Sequence, residues 1–471
     1  MSSGLILVTF FAILLIVMFS GAPVFAALGT AGIVGILAFL GSRHIGQIGI
    51  TAYTYGTSYN QIILPMFVMM SELLSKGQIA EDIYSVLNRG VGKFKGGLAI
   101  ATTLACTIFA ALCGSSPATA ASIGRISIQE MMKRGYSPDF AVGTVAASGT
   151  LGIMIPPSIT FCFYGILTET SIIKLLMAGI VPGIILSAMI IIFIIIRVRL
   201  NPRHLNWTPE TADGPKNASE IDMATAREIV DEAKRLSAEE AESKETVATV
   251  KPQIRKEPTF FTILPALILI IVVLGSMYAG FATPMEAAGY GVIGALIITV
   301  FQRRITAKIF VDVLSGSART GAMMIFMIIC GFILTYCISF LGIAQGISDA
   351  ISKSGLNKYV VLVLLYLLWI VLGALIDPGS VIILTIPFLF KPLVDSGFDP
   401  VWIGVVTVLG SQIGMISPPV GLNLFVLKAN TNVEMKYIMR GAIPYVVLFV
   451  IALALFTIFP GIALFLPNLM F

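Results

Sequence analysis

The chain has 471 residues, of which 57% are hydrophobic and 12% charged, about half the charge of an ordinary soluble domain. Apolar runs long enough to cross a bilayer recur from end to end, which excludes a soluble globular protein and defines an all-α polytopic membrane protein. The net charge of +5 does not point to nucleic acid, because the cations flank apolar segments where a topology signal belongs.

The opening stretch MSSGLILVTFFAILLIVMFSGAP has the apolar core of a signal peptide without the basic residues that begin one, so a retained first helix is expected. GVGKFKGG at Gly90–Gly97 is glycine-rich and basic but lacks the Gly-Lys-Ser/Thr ending of a phosphate loop, and no seat for ATP is visible. The apolar stretch Gly96 to Lys133 lies between Lys93 and Lys95 on one side and Lys133 and Arg134 on the other, with CGSSPAT at its midpoint. Each arm of about 17 residues is near the lower limit for a span. The segment 96–134 is therefore expected to be a re-entrant helical hairpin, the alternative being two full helices with a tight turn.

A broken helix is expected over 138–167. Its sequence TLGIMIPPSI carries a glycine and the pair Pro156-Pro157 inside apolar surroundings. The prolines remove two donors and interrupt the helix, and non-helical backbone survives in hydrocarbon only against protein or a polar cavity. The carbonyls around Gly149 to Ile155 thus need a positive partner. Ser115 and Ser116 at the hairpin tip add small oxygen ligands, a set that suits Na⁺.

Residues 201–258 hold 12 of the 25 acidic residues, leaving 13 for the rest of the chain. This hydrophilic loop separates a first unit, 1–200, from a second, 259–471. Within it Ser219 to Lys244 can form an amphipathic helix with Ile221, Ile229, Ala233 and Leu236 as a thin apolar stripe, the plainer reading being a solvated linker.

Beyond the loop the chain repeats itself. Pro418-Pro419 follows Pro156-Pro157 by 262 positions, and the same offset pairs Gly135 with Gly397, Pro138 with Pro400, Lys174 with Lys436 and Pro182 with Pro444. An offset of 261 lays GAPVFAA, from Gly21, on ATPMEAA, from Ala282. A second hairpin is expected over 358–395, with IDPGS at its tip, and a second broken helix over 400–428. Arg197, Arg199, Arg203, Arg303, Arg304, Lys308 and Arg319 fall at ends of apolar segments. Placing them in the cytoplasm leaves the central loop inside and both termini outside. Each unit then crosses an odd number of times, so the copies are inverted, a recurring architecture of secondary transporters.

The second tip carries Asp377, and Ser411, Gln412, Gly414 and Met415 border the second break. An intramembrane carboxylate points to cation or proton binding; a plain helix cap is the other reading. Helix N-termini after the two tips suit an anionic substrate, with Ser116, Thr119, Ser380 and Asn423 as polar contacts. Arg125 is weighed between a substrate carboxylate, snorkelling and a bond to a neighbouring helix. Glu286 reads as a scaffold cap. The cysteines (Cys106, Cys113, Cys162, Cys330, Cys337) sit in apolar segments without ligand spacing and read as packing residues. With His44 and His204 as the only histidines, no metal cluster or histidine-based triad is visible, and no enzyme is expected.

CGSSPATAASIG, GTLGIMIPPSI, AGIVPG (Ala178 to Gly183), ATPMEAAG and the Asp377 tip resemble the large membrane subunit of TRAP (tripartite ATP-independent periplasmic) transporters, the DctM-like permeases of the ion transporter superfamily. The likeness runs from about Gly21 to Pro444; the central loop is longer than the family leads one to expect. The resemblance implies a sodium-driven importer of organic acids in the bacterial inner membrane, working with a periplasmic substrate-binding protein and a small four-helix membrane subunit. It also implies an elevator-type transport domain moving against a scaffold. By position it implies one Na⁺ site at Ser115, Ser116, Gly149, Gly152 and Ile155, and another at Ile376, Asp377, Ser411, Gly414 and Ser417, largely through backbone oxygen. C4-dicarboxylates, sialic acid, other sugar acids and sulfonates all remain open as substrates. A stand-alone sodium–carboxylate symporter is the nearest alternative, and an anion channel a more distant one.

Overall fold

The computed structural model describes residues 9–205 and 258–470, apart from 11, 15, 19 and 432. The segment weighed as an amphipathic helix, Ser219 to Lys244, lies outside them. Every regular element among the described residues is helical. The first half runs through α1 (Val24–Gly35), α2 (Ile45–Gly56), α3 (Ile63–Lys76), α4 (Ile79–Val91), α5 (Gly97–Cys113), α6 (Ser116–Lys133), α7 (Pro138–Gly149), α8 (Ile159–Thr168) and α9 (Ile172–Leu200). The second runs through α10 (Phe260–Tyr278), α11 (Pro284–Phe301), α12 (Ala307–Phe340), α13 (Ile343–Lys353), α14 (Lys358–Leu375), α15 (Pro378–Asp395), α16 (Pro400–Met415), α17 (Leu422–Asn430), α18 (Met435–Ile458) and α19 (Gly461–Met470).

The element bounds carry the same period as the sequence. Adding 262, the separation of Thr150 from Gln412, to the start of α2 or α7 gives the start of α12 or α16. The same step takes the ends of α4, α5 and α6 to the ends of α13, α14 and α15. The 34-residue α12 answers to α2 and α3 together, which a short 3₁₀ turn at Tyr59–Ile62 keeps apart in the first half.

Helix starts follow from local chemistry. Thr283 and Glu286 form a capping box ahead of Pro284, as expected of Glu286, and the Asp399 carboxylate accepts from the N–H groups of Val401 and Trp402 at 2.8 and 3.0 Å. Proline in the first turn lacks a donor that would have been orphaned there anyway. Among the described residues, seven helices are long and apolar enough to cross a membrane. The arms α14 and α15 pass that test, whereas α5 is shorter.

At the centre lie α7 and α16, buried on nearly every side, and neither carries the continuous polar stripe of a helix that faces water. The halves exchange partners around them: α18 packs on α7 and α9 on α16, while α17 packs on α6 and α8 on α15. Such reciprocal pairs are what a two-fold relation between two copies produces. Polar groups around the two central helices find partners. Tyr445 and Thr144 hydroxyls lie 2.7 Å apart, Tyr164 Oη donates to the Pro400 carbonyl at 2.7 Å, and Trp402 Nε1 donates to the Phe456 carbonyl at 2.9 Å. The cysteines, none in a disulfide, are buried apart from the half-buried Cys330.

The first hairpin opens at the end of the molecule where residues 201–205 emerge. Its base is fixed there by the Ser137 N–H donating to the His204 carbonyl at 2.9 Å, and by Gly96 packing against Val198. His204 stacks on Phe140, and burial together with nearby Arg197 holds its imidazole below the usual 6.5. Elsewhere Arg304 joins the two halves, pairing with the buried Asp82 and donating to the Gly77 carbonyl at 2.8 Å.

Candidate functional site

Both hairpins turn without a helical residue to spare. Gly114 closes α5 with φ of 64°, a conformation that disfavours any side chain, and Ser115 is extended before α6 begins. The tip is pressed backbone-to-backbone on the first break: a Cβ on Gly152 would stand 2.6 Å from the Ser115 carbonyl oxygen, and one on Gly114 would strike the Pro157 carbonyl. The Ile159 N–H, opening α8, donates back to the Gly114 carbonyl at 3.5 Å.

The second copy is built alike. A Cβ on Gly373 would stand 2.5 Å from the Ser411 carbonyl oxygen, and one on Gly414 2.5 Å from the Gly373 carbonyl carbon. The Gly421 N–H, just ahead of α17, donates to the Ala374 carbonyl at 2.9 Å. Both Pro-Pro bonds are cis.

The tips meet. Gly114 to Pro117 and Asp377 to Gly379 line one cavity of about 260 Å³, together with Ile153 from the first break, Ile159, Thr160 and Phe163 from α8, and Met323, Met324 and Met327 from α12. Asp377 is half-buried. It accepts from the Ser380 N–H through Oδ2 at 3.0 Å and from the Ser380 hydroxyl through Oδ1. The helix-cap reading of Asp377 is thus present in the geometry, and the same residue lines the cavity. The cavity lining holds this carboxylate and no Lys, Arg or His among the described residues.

Of the residues expected to bind cation or substrate, Ser115, Ser116 and Asp377 are brought together at the cavity. Ile376 adjoins them at the second tip. Gly149, Gly152, Ile155, Ser411, Gly414 and Ser417 are buried in the paired breaks behind the tips. The Ser411 and Ser417 hydroxyls donate to their own helix turns, to Thr407 O at 2.9 Å and Ile413 O at 2.7 Å, which leaves their oxygen lone pairs to accept or ligate. Thr119 Oγ1 donates to the Ser115 carbonyl at 2.8 Å, and Asn423 Nδ2 donates to Ser116 Oγ at 2.7 Å. Thr119, Ser380 and Asn423 therefore brace the tips and do not line the cavity. Arg125 is not among the lining residues either; it lies on the exposed face of α6.

The methionines of α12, with Thr160 and Phe163, are cavity residues that sequence reasoning missed. The run AMMIFM was the available signal, since polarizable, flexible methionine suits a surface that must reshape.

Two hairpin tips meeting at one cavity, each backed by a broken helix, in an all-helical chain with several membrane-length helices, define a membrane transporter. A family model described as "Tripartite ATP-independent periplasmic transporter, DctM component" matches residues 11–462, and the chain belongs to that family. It is a TRAP transporter large permease and a multi-pass membrane protein. It is 31% identical to the C4-dicarboxylate TRAP transporter large permease protein DctM of Pseudomonas aeruginosa, with 94% of each chain covered. It is 29% identical to the ectoine permease TeaC of Halomonas elongata, with 96% of each covered. It is also 29% identical to the isethionate permease DctMQ of Oleidesulfovibrio alaskensis, where the match takes 98% of this chain and 66% of the relative. Among solved structures, the YdaH transporter of Alcanivorax borkumensis shares the fold with a TM-score of 0.60 at 13% identity, over 91% of each chain.

Proposed function

We propose that this permease imports a small organic acid by Na⁺ symport, the substrate being delivered by a periplasmic binding protein. The observation that carries the reading is the charge of the cavity between the tips. An organic anion entering it meets the Asp377 carboxylate and no basic lining side chain, and two negative groups in a low-dielectric site repel strongly. A co-bound cation offsets that repulsion, and carbonyl and hydroxyl oxygens at the breaks and tips are the donors a Na⁺ ion takes. One cradle comprises Ser115, Ser116, Gly149, Gly152 and Ile155; the other comprises Ile376, Asp377, Ser411, Gly414 and Ser417. The N-terminus of α6 adds partial positive charge beside the cavity.

Relatives named for C4-dicarboxylate, isethionate and sialic acid transport support a small acid, with C4-dicarboxylates as the first candidates. The family also supports a small membrane subunit as partner, and the fused DctMQ relative suits such a pairing. Hairpins whose tips share one cavity suit an elevator in which the tips and breaks travel as one body. The basic ends of α9 and of the α5 approach support a cytoplasmic central loop with both termini periplasmic.

The test is uptake of labelled C4-dicarboxylate into proteoliposomes holding both membrane subunits, with and without the binding protein, under imposed Na⁺ gradients. Accumulation that needs both an inward Na⁺ gradient and the binding protein is expected. Full-rate uptake without the binding protein would support a stand-alone symporter, and downhill flux indifferent to Na⁺ would support an anion channel.

A further inference from the structure

Thr150 and Gln412 are 262 positions apart, and Gln412 Nε2 donates to Thr150 Oγ1 at 2.7 Å. That separation is the offset relating the two copies, so these residues are each other's counterparts. Counterparts in a two-fold pair touch only beside the axis that relates them. This bond therefore lies where the two broken helices cross. Both side chains are fully buried, and the Thr150 hydroxyl passes the chain on by donating to the Ala147 carbonyl at 2.7 Å. Gln412 Oε1 is buried with no hydrogen-bond partner, so the bond to Thr150 is what orients this amide.

Its neighbours give the bond a consequence. Thr150 sits between Gly149 and Gly152, which pack on Ala120 and on the Ser115 carbonyl of the first tip. Gln412 sits between Ser411 and Gly414, which pack on Gly373 in the arm leading to the second tip. Each end of the bond is thus one residue from a backbone group of one proposed cation cradle. A cation that draws in the first set of oxygens fixes the turn at 150–153, and this turn fixes the Gln412 side of α16.

We propose that the Thr150–Gln412 hydrogen bond is a positioning link that makes occupancy of either cation cradle favour occupancy of the other. The inference rests on the Na⁺ reading above. Coupling of this kind is reciprocal, so neither cradle is the leader. The two ions would bind as a unit, and a half-loaded carrier would be disfavoured.

The experiment is a Na⁺ titration of the purified complete system read as equilibrium binding of labelled Na⁺, which is sigmoidal only when the sites are coupled, for the parent, Gln412→Leu, Thr150→Val and Thr150→Ser. The parent should respond sigmoidally, with a Hill coefficient approaching about two for two linked sites. Gln412→Leu and Thr150→Val should keep saturable Na⁺ binding but lower the coefficient to about one, and the double variant should resemble either single. Thr150→Ser, which retains the accepting hydroxyl, should restore the parental curve. A parent that binds Na⁺ hyperbolically, or a Thr150→Val variant that stays sigmoidal, overturns the link. A parent that binds no Na⁺ overturns the symport reading itself. If Gln412→Leu does not fold, the contrast between Thr150→Val and Thr150→Ser reads the same coupling, because valine keeps the size of threonine without its hydroxyl and serine keeps the hydroxyl without the methyl.

Discussion

Truncating Asp377 to alanine removes two things at once, the N-cap of α15 and the carboxylate in the cavity lining. Serine separates them, since it caps a helix nearly as well as aspartate and carries no charge. Asp377→Ala should lose about 1 kcal/mol of stability for the cap, read as a lower melting temperature in detergent. Asp377→Ser should melt close to the parent. Both should raise the Na⁺ concentration for half-maximal uptake by on the order of tenfold, the effect of about 1.4 kcal/mol. Unchanged Na⁺ dependence in both would assign Asp377 to the cap alone. The cap itself was legible, because an Asp-Pro pair after an apolar run is a helix start by rule. That Ser380 would bond this carboxylate twice was not, because that needs the rotamers of both side chains.

At the scale of elements, Gly143 on α7 faces Gly441 on α18, and a Cβ at either position would overlap backbone of the other helix. Small residues at such crossings let two membrane helices approach closely enough for their main chains to touch. Gly143→Ala forces α7 and α18 apart and should cost about 1–3 kcal/mol, measurable as a fall in melting temperature with Gly90→Ala, where the added methyl meets nothing within 4 Å, as the control. Matching melting curves for the two variants would mean that the crossing adjusts without strain. This crossing was not legible in the sequence. A helix buried all round has no polar stripe to say which face meets which neighbour, so α7 and α16 could be found but not oriented. The same limitation explains Arg125. Its distance along α6 from the tip can be counted, but the face it occupies depends on how α6 packs against α5, α7 and α17, and the structure puts it on the exposed one.

For the whole molecule, the 262-residue period was the most legible feature, because glycine and proline punctuate the sequence at the same spacing in both halves and their geometric demands do not drift. Pro138 and Pro400 each open a helix, and each Pro-Pro pair stands in a gap between two helices. The sequence could not reveal which residues of one copy touch the other, since α6 with α17 and α8 with α15 are contacts of three-dimensional arrangement alone. The sidedness of the molecule has its own test. A cysteine replacing Asp213 in the central loop should react with a membrane-impermeant maleimide in inside-out vesicles and not in intact spheroplasts. Labelling in spheroplasts instead would reverse the orientation of both copies.

The bond between Thr150 and Gln412 also bears on how such a chain arises. In a dimer of two identical subunits, the residue nearest the axis faces its own likeness, so the choice is threonine against threonine or glutamine against glutamine. A short hydroxyl cannot reach across to the extent a long amide can, and two long amides compete for the same space. Joining the copies into one polypeptide frees the two positions to mutate separately, and a long donor can then be matched to a short acceptor. Covalent fusion thus permits, at the central point of the molecule, an asymmetry that symmetric assembly forbids.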